Sequence, residues 1–548
     1  MGQLTSESLE FAKEHLQKYY SSDFYPDPIE LEAIWFQWNE VKSKLMSVDI
    51  KDSYETHALT ALPWRKHKGG YRIVHQLEIT DCIVYIALAY LAANKIELNR
   101  KPVEAGVACA YRIQLSQSSF FANGNGFDRF KERSRDLSKS FQFVLTTDIV
   151  DFYNQIYLHR LQNAIASTGL SSAELATDIE RFLSKLNLRN SQGVPVGPAA
   201  SIVFSEATLT DVDDFLSDLD VEHTRYVDDF RIFSNDRVHL EKVHRELTLY
   251  LHKAHRLTLS GEKTRIQSTE TFVKSELDNH YELEKAELFD SLDDVNEYIV
   301  ASPADNEDDA ENKDDTPDDE CSAPLSDAAL RMLTIEAEKE KHKNKVIEGF
   351  QGLCSRPTLD LGMARALLRQ ARLLKVAEIV DACFDNVELL RPVFNALAFY
   401  FREIAKKYGK EKFSEKLFQL SRSSNFSELE QIWLEWIVLS GGLYEEHAGL
   451  KSMLTKSQHF SHQAILAFNE KNLAWVRKYK DEIFALSPQG KRAVIYASRI
   501  LPDDERSPWL KQLRRSATDI TDTAIINWSL AWKEISDDFF DMDEYAPF

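Results

Sequence analysis

Two carboxylates stand side by side in "HTRYVDDFRIF" (223–233): Asp228 and Asp229, between two runs rich in β-branched and aromatic residues. Each run reads as a strand, and the pair falls where a hairpin turn belongs. A turn needs one acid. A third acid, Asp148, lies 80 residues upstream in "FQFVLTTDIVDFYNQIYLHRL" (141–161), where an alternating strand stops and a helix takes over. An acid at a strand's end, facing another at a hairpin tip, can hold a hard cation. Two carboxylates so close would otherwise repel until one took up a proton. The chemistry this suits is in-line phosphoryl transfer by two Mg²⁺ ions ~3.5–4 Å apart, with Mn²⁺ as a substitute. Asp148 and Asp228 are the expected bridging ligands, and Asp229 an outer contributor.

The flanking segments supply groups that such a centre needs. "WRKHKGGYRIVH" (64–75) reads as a basic hairpin with a Gly-Gly turn. Arg72 there, and Arg112 in "AGVACAYRIQ", are candidate triphosphate ligands. "SQGVPVGPAASIVFSEATLTDVDDF" (191–215) reads as a shaped loop followed by a long helix. Its Gly193 and Gly197 would let backbone approach a nucleotide closely. In "LTLSGEKTRI" (257–266), Lys263 is placed to protonate a leaving pyrophosphate.

The elements that must position these groups lie in a chain of 548 residues, 43% hydrophobic and 11% aromatic, too long for one core. Residues 1–59 read as helical, 60–290 as mixed strands and helices, 291–325 as an acidic mobile linker, and 326–548 as all-helical. Net charge is −22, but "DNEDDAENKDDTPDDE" (305–320) carries ten acids against one lysine, so a basic groove elsewhere remains compatible. In the last segment Leu390, Phe394, Leu397, Phe401, Ile404 and Tyr408 fall at helical spacing, as do Leu429, Ile432, Trp436 and Leu439. Cys82, Cys109, Cys321, Cys354 and Cys383 form no CxxC, which reads as reduced thiols in a cytoplasmic protein. No membrane span or secretory signal is expected. Gly2 and Ser6 match a myristoylation pattern, though an N-cap opening a helix is the preferred reading.

The order of basic fingers, strand-Asp148, Gly-Pro loop with helix, Tyr-x-Asp-Asp hairpin and Gly-x-Lys loop resembles the palm and fingers of reverse transcriptases, over roughly 60–275. "GVPVGPAAS" with "RYVDDFRIF", an acidic linker and a helical C-terminal half resembles the bacterial abortive-infection and defence-associated members. The resemblance implies an α+β polymerase palm and fingers followed by an all-α, HEAT-like helical-repeat domain, often as a homo-oligomer. It implies anti-phage DNA synthesis from dNTPs in the bacterial cytoplasm. Some members copy no template and attach the first nucleotide to a tyrosine, leaving single-stranded DNA covalently bound to the protein. Asp148, Asp228 and Asp229 match the family's metal-binding triad. Tyr153, five residues after Asp148, matches the aromatic residue that excludes a ribose 2′-OH. Val196 stands where ordinary reverse transcriptases carry the glutamine that aligns primer and template, which argues against templated synthesis. Candidates for a priming tyrosine are Tyr19, Tyr20 and Tyr25 in "HLQKYYSSDFYPDP" (15–28). The alternatives are an enzyme that copies a dedicated RNA, or an inactive polymerase-like scaffold whose helices sense a phage or host protein.

Overall fold

A computed structural model of the chain describes residues 4–20, 24–67, 69–122, 126–278, 327–356 and 358–532. The expected acidic linker, Cys321 and Gly2 lie outside the described residues. The described residues pack as two units: one from Met1–Trp64, Ile73–Asn279 and Ser457–Phe548, the other from Arg65–Arg72 and His280–Lys456.

The first unit opens with α1 (Ser6–Tyr19). Thr5 caps it through a reciprocal pair with Ser8, each backbone N–H donating to the other's hydroxyl at 3.1 Å. This is the N-cap that the sequence suggests. The apolar stretch after it breaks into α2 (Leu31–Phe36) and α3 (Trp38–Ser47) at Gln37. A hairpin follows, β1 (Thr60–Arg65) and β2 (Tyr71–Gln76), turning through Gly69 and Gly70 at φ +88° and +74°. Then comes α4 (Ile79–Asn99), apolar on nearly every face. It is long and apolar enough to cross a membrane, but 78% of its most apolar window is buried inside the protein. It packs against α1 and is the axis of the core.

The sheet is built from four antiparallel strands in the order β4-β5-β3-β6: β3 (Phe143–Asp148), β4 (Glu222–Tyr226), β5 (Asp229–Ser234) and β6 (Arg265–Ser268). The register of β3 on β5 runs from Phe143 opposite Ser234 to Asp148 opposite Asp229. Helix α5 (Gly126–Ser140) precedes β3. The stretch between β3 and β4 holds α6 (Phe152–Gln155), α7 (Leu158–Ala166), α8 (Ala173–Leu186), α9 (Ala199–Thr208) and α10 (Thr210–Ser217). The single long helix expected after the Gly-Pro loop is thus two short ones, broken at Leu209.

The C-terminal half is helical but is not one body. Helices from Asp327–Cys354 to Ala448–Thr455 belong to the second unit. There Leu397, Phe401 and Ile404 are buried as their spacing predicts, whereas the later stripe turns Trp433 and Ile437 inward, not Ile432 and Trp436. The helices within Ser457–Phe548 belong to the first unit. Ala33 of α2 shares a core with Ile525, Ile526 and Trp528. Arg492, buried, pairs with Glu78, Asp519 (2.9 Å) and Asp522 (2.6 Å). His57 bridges Asp81 (3.1 Å) and Asp519 (3.0 Å).

Candidate active site

The alternation of β3 and β5 carries two acids to the same end of the sheet. Asp148 and Asp229 are direct cross-strand partners, and Tyr226 lies opposite Asp229 on the other side. Two residues, Val227 and Asp228, close the hairpin. Asp228 is tied back, its carbonyl accepting from the Ile149 N–H at 3.1 Å. The three carboxylates therefore gather around one strand end.

Val227 sits at φ +57°, a conformation that a β-branched residue resists. A buried charge network beneath the turn holds it there. Arg225 is fully buried and donates Nη1 to the Val227 carbonyl at 3.2 Å. Its Nε and Nη2 reach the two oxygens of Asp213 at 2.8 and 2.9 Å. Glu206 lies 3.0 Å from Arg225 and 2.8 Å from Arg100. Burial alone would raise the Asp213 carboxyl, but Arg225 and His223 outweigh it and hold it at about 2. Reading the motif as Tyr-x-Asp-Asp missed this network. The sequence gives little signal for it, because β4 reads Glu-His-Thr-Arg-Tyr and Arg225 looks like one more polar strand residue; only its burial shows that it needs a partner.

The three carboxylates crowd together with only partial compensation from nearby cations. Burial, followed by the Asp148 charge, pushes Asp228 up to about 7. Burial pushes Asp229 up to about 6 against the pull of Arg231. The nearest cation is Lys263, whose Nζ lies 2.7 Å from Asp148 Oδ2. The Gly-x-Lys segment is held there because the Ser260 N–H donates to the Asp148 carbonyl at 2.8 Å, and the Val150 N–H to Thr258 at 2.9 Å. Among the described residues, no three His, Cys, Asp or Glu side chains converge as a ready-made metal cage. Hard oxygen donors with excess negative charge nevertheless fit Mg²⁺, which commonly takes one or two carboxylates and completes its shell with phosphate and water.

Tyr153 is half-buried near this cluster. Burial raises its phenol above the usual range, Ser205 bonds it, and the Asp228 charge reaches it. The Gly-Pro loop is stitched down on two sides. Gly193 N–H donates to Ile156 at 2.8 Å and Val194 N–H to Tyr153 at 2.9 Å; across the other side, His75 N–H donates to Val196 at 2.9 Å. Gly197 has φ +137°, and a Cβ there would lie 3.4 Å from the His75 carbonyl. Its glycine is thus explained by the backbone conformation, which side-chain-bearing residues rarely adopt, because the Cβ contact itself would be an ordinary one.

Two expectations need correction. Arg112 is turned inward, not toward a triphosphate: it is 9% exposed, paired with Glu97 at 2.5 Å, and donates to the Lys101 and Ala108 carbonyls. A guanidinium so engaged has no fork left for phosphate. Tyr25 is 3% exposed and its hydroxyl donates to the Val74 carbonyl at 3.3 Å, so it lacks the mobility that priming requires. Tyr19 and Tyr20 end α1 beside a small cavity also lined by His15, His75 and Gln76. Arg72 is exposed on β2, in the part of the hairpin that clusters with the second unit.

Comparison with known proteins gives one match by family. Residues 65–285 fit the model "Reverse transcriptase (RNA-dependent DNA polymerase)". No curated protein matches the chain. Among solved structures, telomerase from Candida albicans with the TWJ fragment of telomeric RNA is similar at 12% identity and TM-score 0.31, over 75% of this chain and 71% of that one. Apo telomerase from Candida tropicalis is similar at 11% identity and TM-score 0.32, over 73% and 72%. Scores this low carry no weight beside the family match. That match begins at the last residue of β1 and takes in β2, β3 with Asp148 and the turn at Asp228, so residues 65–285 are similar to the reverse transcriptase domain.

Proposed function

We propose that this chain is a DNA polymerase of the reverse transcriptase type that adds dNTPs at Asp148, Asp228 and Asp229. The observation that carries this reading is the β3–β5 register, which sets Asp148 opposite Asp229 with Asp228 at the adjoining turn. Asp148 and Asp228 would hold Mg²⁺, with Asp229 supporting them. When bound, the metal ions acidify the attacking 3′-hydroxyl and stabilise the leaving pyrophosphate. Lys263 would release Asp148 and donate a proton to that pyrophosphate. Tyr153 would crowd a ribose 2′-OH, and Arg72 would meet the triphosphate.

The finer reading is synthesis without a template in anti-phage defence, in the bacterial cytoplasm and as a homo-oligomer. The first nucleotide would join a tyrosine, with Tyr19 and Tyr20 the remaining N-terminal candidates. Val196 supports the absence of a template, and the sequence resemblance supports the defence role and a HEAT-like helical region. The family's RNA-dependent description favours a second reading, in which a dedicated RNA is copied.

The test is purified full-length protein with labelled dNTPs and Mg²⁺ or Mn²⁺. Labelled polymer or a labelled protein band is expected, and Asp148→Asn should remove at least about 100-fold of it without lowering Tm, because an amide is a poor ligand for a hard cation. No labelled product from the wild type overturns the polymerase reading. RNase treatment that abolishes synthesis decides for the copied RNA.

A further inference from the structure

The segment after α4 is held to an unusual shape. Ala108 bridges to Arg225 in parallel, with the Cys109 N–H donating to Arg225 at 3.0 Å and the Arg225 N–H to Val107 at 2.7 Å. It thus lies as an extra edge against β4, next to the catalytic turn. Gly126 presses on it from the other side, where a Cβ would come within 2.6 Å of the Cys109 carbonyl. Two buried arginines then clamp its carbonyls. Arg100 donates to Ala110 (2.9 Å) and Tyr111 (3.0 Å), and Arg112 to Ala108 (3.2 Å).

Between these clamps Tyr111 takes φ +44° and remains 37% exposed. An aromatic residue in left-handed backbone persists only where its surroundings enforce it, and such positions concentrate at functional sites. Its ring centre lies 6.0 Å from that of Tyr226, the residue that opens the Asp228 turn, and 5.2 Å from Phe121. Tyr226 in turn meets Phe127 edge-on at 5.3 Å. Buried Phe130 packs against Tyr226 at 6.0 Å and buried Phe120 against Phe121 at 6.1 Å, so the two rings that Tyr111 touches are themselves anchored on the core. Two cations lie on α5 nearby: Arg129, exposed and close enough for its charge to act on Cys109, and Lys131, whose Nζ stands 5.0 Å over the Phe127 ring.

We propose that Tyr111, backed by Tyr226, is a base-stacking shelf for the 3′-terminal nucleobase of single-stranded DNA, with Arg129 taking its phosphate. The proposal rests on the polymerase reading above. An aromatic face accepts any base and needs no template partner, which suits synthesis without one. Tyr111 is a positioning residue: it would hold the strand end beside the carboxylates.

The test uses full-length protein and a short single-stranded DNA ending in 3′ 2-aminopurine, whose fluorescence is quenched by stacking. Ca²⁺ replaces Mg²⁺ so that no chemistry intervenes. Wild type should quench the probe. Tyr111→Gly, which accepts the left-handed backbone and so keeps the fold, should lose the quenching and weaken binding by about 5- to 150-fold. Tyr111→Phe should behave as wild type. The proposal is overturned if wild type fails to quench, if Tyr111→Gly quenches and binds normally, or if Tyr111→Phe fails as badly as glycine. A wild type that quenches the probe yet incorporates no dNTP would sink the polymerase reading alone and leave the shelf as a DNA-binding site.

Discussion

His57→Leu tests whether the helices within 457–532 are part of the first unit. His57 joins Asp81, at the first turn of α4, to Asp519, the N-cap of the helix Ile520–Ala531. Glu78 lies 3.7 Å away, and Arg492 holds Asp519 from the other side. The bond to Asp519, then that to Asp81, raises the imidazole from 6.5 to about 10. A displacement of that size corresponds to about 5 kcal/mol in favour of the charged form. Two hydrogen bonds to charged groups, at ~1.5–3 kcal/mol each, give about 3–6 kcal/mol by a separate route. The folded value lies above the unfolded one, so this stabilisation is complete below about 6.5 and is lost as pH rises through about 10. At ~2 °C per kcal/mol for a large unit, His57→Leu should lower Tm by roughly 6–10 °C near pH 6.5. By pH 9 only about a third of that difference should survive. Thermal melts of both proteins from pH 6 to 9 measure it. A difference that stays constant or grows with pH would refute the assignment of a charged His57 to this junction.

Arg225→Met removes the cation shared by Asp213, Glu206 and the Val227 carbonyl; breaking such a buried pair should cost about 3–5 kcal/mol, read as a lower urea midpoint. A loss under about 1 kcal/mol would mean the network does not brace the turn. Tyr153→Ala should open the site to rNTPs while dNTP incorporation survives; single-nucleotide incorporation assays check it, and unchanged rejection of rNTPs removes Tyr153 as the gate. Arg112→Met should lower Tm and leave the KM for dNTP unchanged, as its buried pairing with Glu97 implies. A selective rise in KM would restore it as a triphosphate ligand.

The acids were legible because their signal is local. A strand of period two ends at Asp148, another begins at Asp229, and hairpin geometry brings such ends together. The roles of arginines were not legible in the same way. Arg72 and Arg112 look alike in sequence, each a cation beside apolar residues. What separates them is Glu97, 15 residues before Arg112, which sits on α4 where it can take the guanidinium inward. Tyr111 escaped notice for a related reason. Its left-handed backbone is imposed by Arg100 and Gly126, neither adjacent to it, so no propensity at position 111 announces it.

The domain boundary shows the same limit at larger scale. Helical periodicity from 326 to 532 is continuous, so the sequence reads as one helical body. Periodicity reports which face of a helix is buried but not what it is buried against. The partners of the last helices are scattered through the first hundred residues: Ala33 for Trp528, Glu78 for Arg492, and His57, itself held by Asp81, for Asp519. Each of those side chains has an ordinary reading by itself. Only their charge balance is unusual, since Arg492, 2% exposed in its side chain, needs several acids and its own helix supplies none of the three it uses. A buried cation without a local anion therefore marks a long-range contact, and Arg225 with Asp213 and Glu206 obeys the same rule inside the palm. A fragment that ends at the close of the reverse transcriptase match would leave Glu78 without Arg492 and His57, still bonded to Asp81, without Asp519, which predicts that it folds poorly unless the helices 457–532 are supplied with it.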